Sequence, residues 1–341
     1  MPKVFISGAA GFIGSQLAYR LWKDGAQVVI IDNFSYGQED NLIFPDHDFR
    51  SEILRMDVRD ADALYRLFEQ ENFDYAYHIA AITPLPDCQM NPGEAVSVNV
   101  AGTVNVLEAA RRFGCRKVIF ASTSAVYEND TVFPSKEDRH ELPSLIYPTT
   151  KYSAECFCKS YAKIYGMNVT CLRFANVYGP HIDCLRKQPP VAGYLIRELF
   201  YDRAPVLHSD GKQRRDFVYV DDLIDLALLV QKGDGYDCVN VSTCKSYSIN
   251  EMYSILAKTM GKEQIKPKYV ASSNYWNKYP ELYEGKYTIS NKALDNEVNK
   301  FTQCDNMHAL EKYGWKPNTS FEEGLKNTVD FACGLLSKLH R

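Results

Sequence analysis

The chain has 341 residues, with 39 lysine and arginine residues against 43 aspartate and glutamate residues and a formal net charge of −4. Because both signs are mixed along the chain, this balance gives no reason to expect a nucleic acid or a membrane as a partner. Ten cysteines without a CxxC pair, and without histidines at metal-ligand spacing, predict reduced thiols, no metal site and a cytoplasmic protein.

The first predicted elements are an apolar strand and a helix joined by glycines, in the stretch VFISGAAGFIG. A strand that turns at once into a helix needs the backbone freedom of Gly8, and the missing Cβ of Gly11 lets a pyrophosphate approach. Gly14 allows the helix to lie close to the sheet. The helix expected over residues 13–24 would direct its free N–H groups and its dipole at the phosphates. This unit predicts a dinucleotide site.

The second predicted strand, over residues 27–32, ends in an acid. Asp32 follows Gly14 by eighteen residues, where a carboxylate can bind both hydroxyls of an adenosine ribose. Since the same charge would repel a 2′-phosphate, the sequence favours NAD over NADP. The alternative is an ordinary polar strand end.

Strands and helices continue to alternate, which predicts an α/β fold with a doubly wound parallel sheet of the Rossmann type. Further strands are expected over residues 51–57, 75–79, 117–122 and 168–174, and helices over residues 61–70, 94–113, 149–165, 192–203 and 222–231. The expected domains are a Rossmann domain of residues 1–178 plus 213–245 and a smaller C-terminal α/β substrate lobe of residues 179–212 plus 246–341. The early first strand leaves no room for a signal peptide, and no apolar stretch approaches the ~18 residues of a membrane span.

Tyr147 and Lys151 stand four residues apart in YPTTK, where Pro148 suits the first turn of a helix. The two side chains therefore share one helix face. A tyrosine needs a pKa shift of about 3 units, or about 4 kcal/mol, to act as a base near neutral pH. A cation at ~4 Å in an effective dielectric of ~20 supplies about that much, so Lys151, helped by a nicotinamide ring, predicts a catalytic base. A surface helix is the usual alternative, but the three hydroxyl residues that end the preceding strand favour catalysis.

Further motifs follow in order along nearly the whole chain. They are GAAGFIGS (8–15), DNFSYG (32–37), HIAA (78–81), NVAGTVNVLEAA (99–110), STSAVY (122–127), YPTTK (147–151), RFANVYGP (173–180), RRDFVYVDD (214–222) and YGWKP (313–317). With them the chain resembles the extended short-chain dehydrogenase/reductases, and among these the NAD-dependent nucleotide-sugar epimerase/dehydratase family.

The resemblance implies a set of site residues. The catalytic residues would be Thr123, Tyr147 and Lys151. The NAD site would comprise Gly8, Gly11, Phe12, Ile13, Gly14, Asp32, Asn33, Ser35, Gly37, Asp57, Val58, Ala80, Ala81, Asn99, Tyr147 and Lys151. The substrate site would comprise Thr83, Ser124, Asn176, Arg215 and Thr302, of which Asn176 and Arg215 would hold a diphosphate.

Some of these residues have simpler interpretations. Asn99 could cap the helix that follows it, Arg215 could pair with Asp216, and Asn176 could hold a turn. The chain also departs from the family pattern. Glu128 stands in place of the usual glycine after VY, and Asp295 stands about where the family has a second arginine for the diphosphate.

The residues after Thr123 decide which reaction the resemblance implies. Dehydratases of the family have an Asp-Glu pair there, and decarboxylating relatives tend to keep a glutamate. This chain has Ser124 and Ala125, which favours C4 epimerisation of a nucleotide sugar, UDP-linked in relatives of this kind, through a 4-keto intermediate. A nucleotide-sugar 4-dehydrogenase or ketoreductase is the alternative, a 4,6-dehydratase or decarboxylase is less favoured, and a non-catalytic NAD-binding sensor is the non-enzyme alternative.

Two further expectations concern the substrate and the assembly. Thr302 falls at a gate position where a small residue would admit an N-acetylhexosamine as well as a plain hexose, although a loop threonine without a pocket role is an equal alternative. The helices over residues 94–113 and 149–165 carry apolar residues on more than one face. In relatives such helices pair across a two-fold axis, so a homodimer is expected unless the chain covers them itself.

Overall fold

The computed structural model of the chain describes residues 1–138 and 141–339. Its strands are β1 (Lys3–Ser7), β2 (Gln27–Asp32), β3 (Leu54–Arg55), β4 (Tyr75–His78), β5 (Lys117–Thr123), β6 (Val169–Phe174), β7 (Asn176–Tyr178), β8 (Val206–His208), β9 (Arg214–Tyr219), β10 (Tyr236–Val241), β11 (Ser246–Ser248) and β12 (Lys268–Val270). Seven of them form one parallel sheet in the order β10-β6-β5-β4-β1-β2-β3. The predicted α/β fold with a doubly wound Rossmann sheet is confirmed.

The helices cover both faces of this sheet and build the rest of the chain. They are α1 (Phe12–Lys23), α2 (Ala61–Glu71), α3 (Leu85–Met90), α4 (Pro92–Val96), α5 (Gly102–Arg112), α6 (Ile146–Tyr165), α7 (Val191–Phe200), α8 (Val220–Leu229), α9 (Ile249–Thr259), α10 (Asn291–Asn299), α11 (Met307–Tyr313) and α12 (Phe321–Leu339). A π-helical turn, Ser97–Ala101, joins α4 to α5 without a break. None of the described helices combines the length and the apolar character that crossing a bilayer requires.

Each face of the sheet has its own core. On one face Leu17 of α1 and Leu223 of α8 pack against the strands. On the other face Phe68 of α2, Leu107 of α5 and Ala154 of α6 do so. The strands between them are buried on both faces and rich in Val, Ile and Phe, as expected for a parallel sheet covered by helices.

The strand order places the functional cavity. The chain runs from β1 outward to β2 and β3, and then returns to add β4 on the other side of β1. Such a switch leaves a crevice at the carboxyl ends of β1 and β4, where ligands bind in open α/β sheets. The strand expected over residues 51–57 is reduced to Leu54–Arg55, because only Ile31 and Asp32 of β2 extend far enough to pair with it.

Elements beyond β7 also line this crevice. A further core joins α7, α9 and α12 through side chains such as Leu199, Leu256 and Leu325. A capping box starts α9, since the Ser248 hydroxyl accepts from the N–H of Glu251 and the Glu251 carboxylate accepts from the N–H of Ser248. A separate aromatic cluster around Trp276 packs against Leu85 of α3. Residues 340 and 341, which the predicted lobe includes, lie outside the described residues.

Candidate active site

The glycine turn after β1 has the backbone that the sequence predicted. Gly8 has a φ of +75°, and a Cβ there would lie 2.6 Å from the backbone nitrogen of Ala80. A Cβ at Gly14 would overlap the carbonyl oxygen of Gly8, so this residue sets how closely α1 approaches the turn. Both positions need glycine for reasons of space, and Gly8 needs it also for its left-handed conformation.

The start of α1 is ready to receive an anion. Gly11 is its N-cap, and no side chain caps the helix. The N–H groups of the first turn, at Phe12 and Ile13, therefore face the cavity beside the glycine turn. Free amides at the positive end of a helix dipole fit the pyrophosphate of a dinucleotide.

Asp32 lies at the end of β2 with its carboxylate beside this helix. Its Oδ2 accepts from the N–H of Ala10 at 3.0 Å, and its Oδ1 accepts from the N–H of Phe34 at 2.7 Å. Burial raises the pKa of the carboxyl, and these two hydrogen bonds oppose the rise. The side chain thus orders the turn around it while it lines the cavity where a ribose would lie.

Asp57 was predicted as a cofactor ligand, but it lies outside the cavity. Its carboxylate forms an ion pair with Arg59 at 2.7 Å and accepts from the Asn33 amide at 2.8 Å. Hydrogen bonding from Arg59 holds the pKa of Asp57 at about 2. Asp57 therefore orients Asn33, which lines the cavity together with Val58.

A single large cavity of about 1190 Å³ at the carboxyl ends of the strands contains most of the predicted site. The predicted residues that line it are Gly8, Gly11, Phe12, Ile13, Gly14, Asp32, Asn33, Ser35, Gly37, Val58, Ala80, Ala81, Thr83, Thr123, Ser124, Tyr147, Lys151, Asn176, Arg215 and Thr302. The cavity also contains residues that sequence reasoning missed, among them Arg186 and His208. Neither belongs to a recognisable motif, and Arg186 stands in an irregular loop without periodicity.

Asn99 corrects both sequence interpretations, because it neither caps a helix nor lines the cavity. It lies in the π-helical turn, where its amide donates to the carbonyl of Ile82 at 2.9 Å and to Oγ1 of Thr150 at 3.0 Å. Its Oδ1 accepts from the N–H of Ile82 at 2.8 Å. Asn99 thus ties the loop after β4, which does line the cavity, to α6.

Tyr147 and Lys151 lie one turn apart in the first half of α6, as predicted. Lys151 is buried, Tyr147 is half-buried, and both line the cavity. Burial raises the pKa of Tyr147 to about 12, and a hydrogen bond with the Thr123 side chain opposes the rise. Burial lowers the pKa of Lys151 to about 8. The Nζ atom of Lys151 lies 4.2 Å from the centroid of the Phe120 ring.

The predicted electrostatic effect of Lys151 on Tyr147 is not found. Lys151 packs over the Phe120 ring, and the cation that lowers the pKa of Tyr147 is Arg186. The chain alone therefore keeps Tyr147 protonated at neutral pH. A hydroxyl in this state can donate to a substrate oxygen, whereas removal of a proton needs additional positive charge nearby.

The two residues predicted to hold a diphosphate are both bound to backbone groups. The Asn176 amide donates to the carbonyl of Asp216 at 2.9 Å, so it links β7 to β9 and does not hold a turn. Arg215 does not pair with Asp216. Its guanidinium donates to the carbonyls of Glu297 at 2.9 Å, Val298 at 3.0 Å and Lys300, at the end of α10.

Two departures from the family pattern have structural roles. The Glu128 carboxylate accepts from the N–H groups of Ser144 and of Leu145, the latter at 2.7 Å, and so fixes the start of α6. Asp295 is exposed and accepts from the Ser272 hydroxyl at 2.7 Å. It does not line the cavity. Thr302 does, and its Oγ1 accepts from the N–H of Asp216 at 3.1 Å.

A Rossmann sheet whose glycine turn lines the same cavity as a tyrosine and a lysine one helical turn apart defines a dinucleotide-dependent enzyme of the short-chain dehydrogenase/reductase class. Comparison with known proteins narrows this class. Residues 4–242 match the model of the NAD dependent epimerase/dehydratase family, and the chain belongs to that family. NAD is its cofactor.

The chain is similar over nearly its whole length to proteins with related activities. It is 30% identical over 332 residues to a putative UDP-glucose 4-epimerase of Methanocaldococcus jannaschii, covering 96% of this chain and 97% of the relative. It is 32% identical over 339 residues to a UDP-N-acetyl-alpha-D-glucosaminuronate decarboxylase of Bacillus cytotoxicus, covering 96% and 97%. The crystal structure of UDP-glucose 4-epimerase from Thermotoga maritima, solved with UDP-glucose, superposes with a TM-score of 0.85 at 28% identity, covering 98% of this chain and 99% of that one.

Proposed function

We propose that the chain is an NAD-dependent 4-epimerase of a nucleotide sugar, either a UDP-hexose or a UDP-N-acetylhexosamine. The observation that carries the proposal is the pair Ser124 and Ala125, which follows Thr123 in the cavity wall where a dehydratase needs an acid and a base. The names of the Methanocaldococcus and Thermotoga relatives support the same reaction.

In this proposal the chain moves one proton and holds the sugar. Tyr147 takes the proton of the C4 hydroxyl, and Thr123 orients both oxygens through its own hydroxyl. Lys151 lines the same cavity and would hydrogen-bond the nicotinamide ribose. The α1 amides and Asp32 would hold NAD, which would supply reversible hydride transfer at C4 and, through its charged ring, the positive charge that the chain alone does not direct at Tyr147.

The alternatives differ in which bonds they break. A 4-dehydrogenase or ketoreductase would use the same three residues, but it would exchange cofactor at each turnover. The Bacillus relative, which is 32% identical to this chain, is named as a decarboxylase. Release of CO2 from a sugar acid is therefore a second candidate reaction. A non-catalytic NAD sensor would have no use for the pair of Tyr147 and Lys151 in the cavity wall.

Two finer points belong to this proposal. Thr302 would leave room for an N-acetyl group, because a short side chain lines the cavity at this position. The chain would form a homodimer through α5 and α6. Phe157 and Ile164 support this, since they are apolar, stand seven residues apart on α6 and remain exposed.

The experiment that tests the proposal follows hydrogen at C4. The purified protein is incubated in heavy water with a UDP-hexose deuterated at C4, and the products are separated and analysed by mass spectrometry. An epimerase gives a C4 epimer that keeps its deuterium, takes no label from the solvent at C5, and forms no net NADH. Accumulation of NADH would instead indicate the dehydrogenase, and solvent label at C5 the dehydratase. A parallel incubation with UDP-glucuronate tests the decarboxylase, which would give CO2 and a UDP-pentose.

A further inference from the structure

Several of the cationic side chains around the cavity are already paired within the chain, so fewer are left to bind an anionic substrate. A nucleotide sugar brings two negative charges on its diphosphate, and burying such a group without a partner is costly. Arg215 cannot easily serve, because its guanidinium is bound to the carbonyls of Glu297, Val298 and Lys300. Asp295 brings a carboxylate where the family pattern has its second arginine.

The neighbouring lysine is also neutralised. The Nζ atom of Lys300 lies 2.7 Å from Oε2 of Glu297, and the two side chains are only 14% and 7% exposed. Arg197, another cation in the cavity wall, is paired with Glu198 at 3.0 Å and with the carbonyl of Cys184 at 3.0 Å. These cations therefore have acceptors within the chain already.

Arg186 is different because only its inner nitrogen is occupied. Its Nε donates to the carbonyl of Gln188 at 2.7 Å and lies 3.9 Å from Oδ2 of Asp183. The Asp183 carboxylate also accepts from the N–H of Arg186 at 3.1 Å, which ties the loop to the base of this side chain. Among residues 1–138 and 141–339, the two terminal nitrogens of Arg186 have no acceptor within hydrogen-bonding distance. The guanidinium is thus held in place with its outer edge free.

The positive charge of Arg186 lowers the pKa of Tyr147 and of three other tyrosines. Burial raises the pKa of four tyrosine hydroxyls from separate segments, and the Arg186 cation opposes the rise in each. The four are Tyr36, Tyr147, Tyr275 and Tyr279. Arg186 lines the same cavity as Tyr36, Tyr147 and Tyr275, where the sugar and its phosphates would be.

We infer that Arg186 is the specificity-determining cation of this chain, which pairs with an anionic oxygen group of the bound substrate in place of the arginine missing at Asp295. The group is either the diphosphate or a carboxylate on the sugar, since a guanidinium fork binds both in the same way. The inference rests on the proposed function, because it assumes that a nucleotide sugar occupies the cavity.

The test compares three ligands by calorimetry on the NAD-loaded protein: UDP, UDP-glucose and UDP-glucuronate. Arg186→Gln should weaken binding about 10- to 100-fold, the usual effect of losing a charge-assisted hydrogen-bonded pair. Loss for all three ligands identifies the diphosphate, and loss for UDP-glucuronate alone identifies the sugar carboxylate. Arg186→Lys should recover part of the affinity, because it restores the charge without the fork.

The matched control is Lys187→Met. Lys187 is the next residue of the loop, does not line the cavity, and lies 4.0 Å from the centroid of the Tyr279 ring. The Lys187→Met variant should bind all three ligands as tightly as the unaltered protein does. Unchanged binding by Arg186→Gln, at normal NAD content and thermal stability, would overturn the inference. Lys278 is an exposed cation that also lines the cavity. The inference would likewise be overturned if Lys278→Met lost ligand affinity and Arg186→Gln did not.

The outcome separates this inference from the proposed function. If the unaltered protein epimerises its substrate and Arg186→Gln binds as tightly, only the inference fails. If the unaltered protein binds UDP-sugars through Arg186 and no epimer forms, only the proposed reaction fails. If the unaltered protein binds none of the three ligands, both are wrong.

Discussion

The imidazole of His78 bridges two neighbouring strands, with its Nδ1 2.7 Å from Oγ of Ser7 at the end of β1. Its Nε2 lies 3.0 Å from Oγ1 of Thr103 on α5, so both ring nitrogens have hydroxyl partners. Burial lowers the pKa of His78 to about 3, and the positive charge of Lys151 adds to this effect. The strand ends that frame the cavity therefore depend on a neutral histidine.

This relationship predicts how stability changes with pH. Unfolded histidine has a pKa near ~6.5, so between that pH and about 3 the unfolded state binds a proton that the folded state excludes. The free energy of unfolding should fall as pH falls through this window, by about 2 kcal/mol from this group at pH 5. His78→Asn should be less stable at pH 7.5, but its deficit should shrink at pH 5. Urea unfolding at both pH values measures this, and parallel curves for the two proteins would contradict it.

The second prediction concerns the proton of the C4 hydroxyl. Tyr147→Phe removes only a hydroxyl, so the variant should fold and retain NAD while turnover falls by ~10²-fold or more. Tyr161→Phe is the matched control on α6, because its hydroxyl lies 3.3 Å from Glu108 Oε2 and does not line the cavity. Turnover and bound NAD are measured for both. Near-normal turnover in the first variant would assign the proton to another group.

The third prediction concerns cofactor choice. Asp32→Asn removes the charge but keeps an oxygen that can accept from Ala10 or Phe34, so the turn should survive. The preference for NAD over NADP should fall by about 10-fold or more, because the 2′-phosphate is no longer repelled. Asp24→Asn, an exposed acid paired with Arg20, is the control. Equal binding of NAD and NADP by the unaltered protein would refute the assignment of Asp32.

The fourth prediction concerns the assembly. Phe157 and Ile164 of α6 are 42% and 69% exposed, and a charge at either would be buried in a dimer. Phe157→Glu and Ile164→Glu should sediment as monomers at concentrations where the unaltered chain is a dimer. Val132→Glu places the same charge at another exposed apolar position, outside α5 and α6, and should leave the dimer intact. A monomeric unaltered chain would exclude the dimer itself.

Elements with regular periodicity could be predicted from the sequence almost to the residue. The expected bounds of β2 agree with the structure, and α6 begins only three residues before the expected position. Its earlier start, at Ile146, is possible because Pro148 still falls in the first turn, where no partner for its nitrogen is needed. The short helices α3 and α10 could not be predicted, since one or two turns contain too few residues to show a period.

The site residues divide in the same way. Gly8 and Asp32 act through their own backbone angle and charge, which the sequence states directly. Arg215 could not be placed, because its partners are carbonyl groups 82 to 85 residues away along the chain. Every residue has a carbonyl, so no sequence pattern distinguishes those three. Arg186 escaped notice for a related reason, since a free guanidinium edge is a property of the folded loop.

The π-helical turn that contains Asn99 limits which insertions and deletions the continuous helix of α4 and α5 can accept. One residue more or less in an α-helix rotates everything beyond it by about 100°. The turn Ser97–Ala101 therefore sets the angular phase between the half that buries Ala95 and the half that buries Leu107 in the core. A deletion there would leave every side chain chemically intact and still aim one half of the helix wrongly. The angle between the two halves of the helix is thus set by the number of residues in the turn, which a point substitution leaves unchanged.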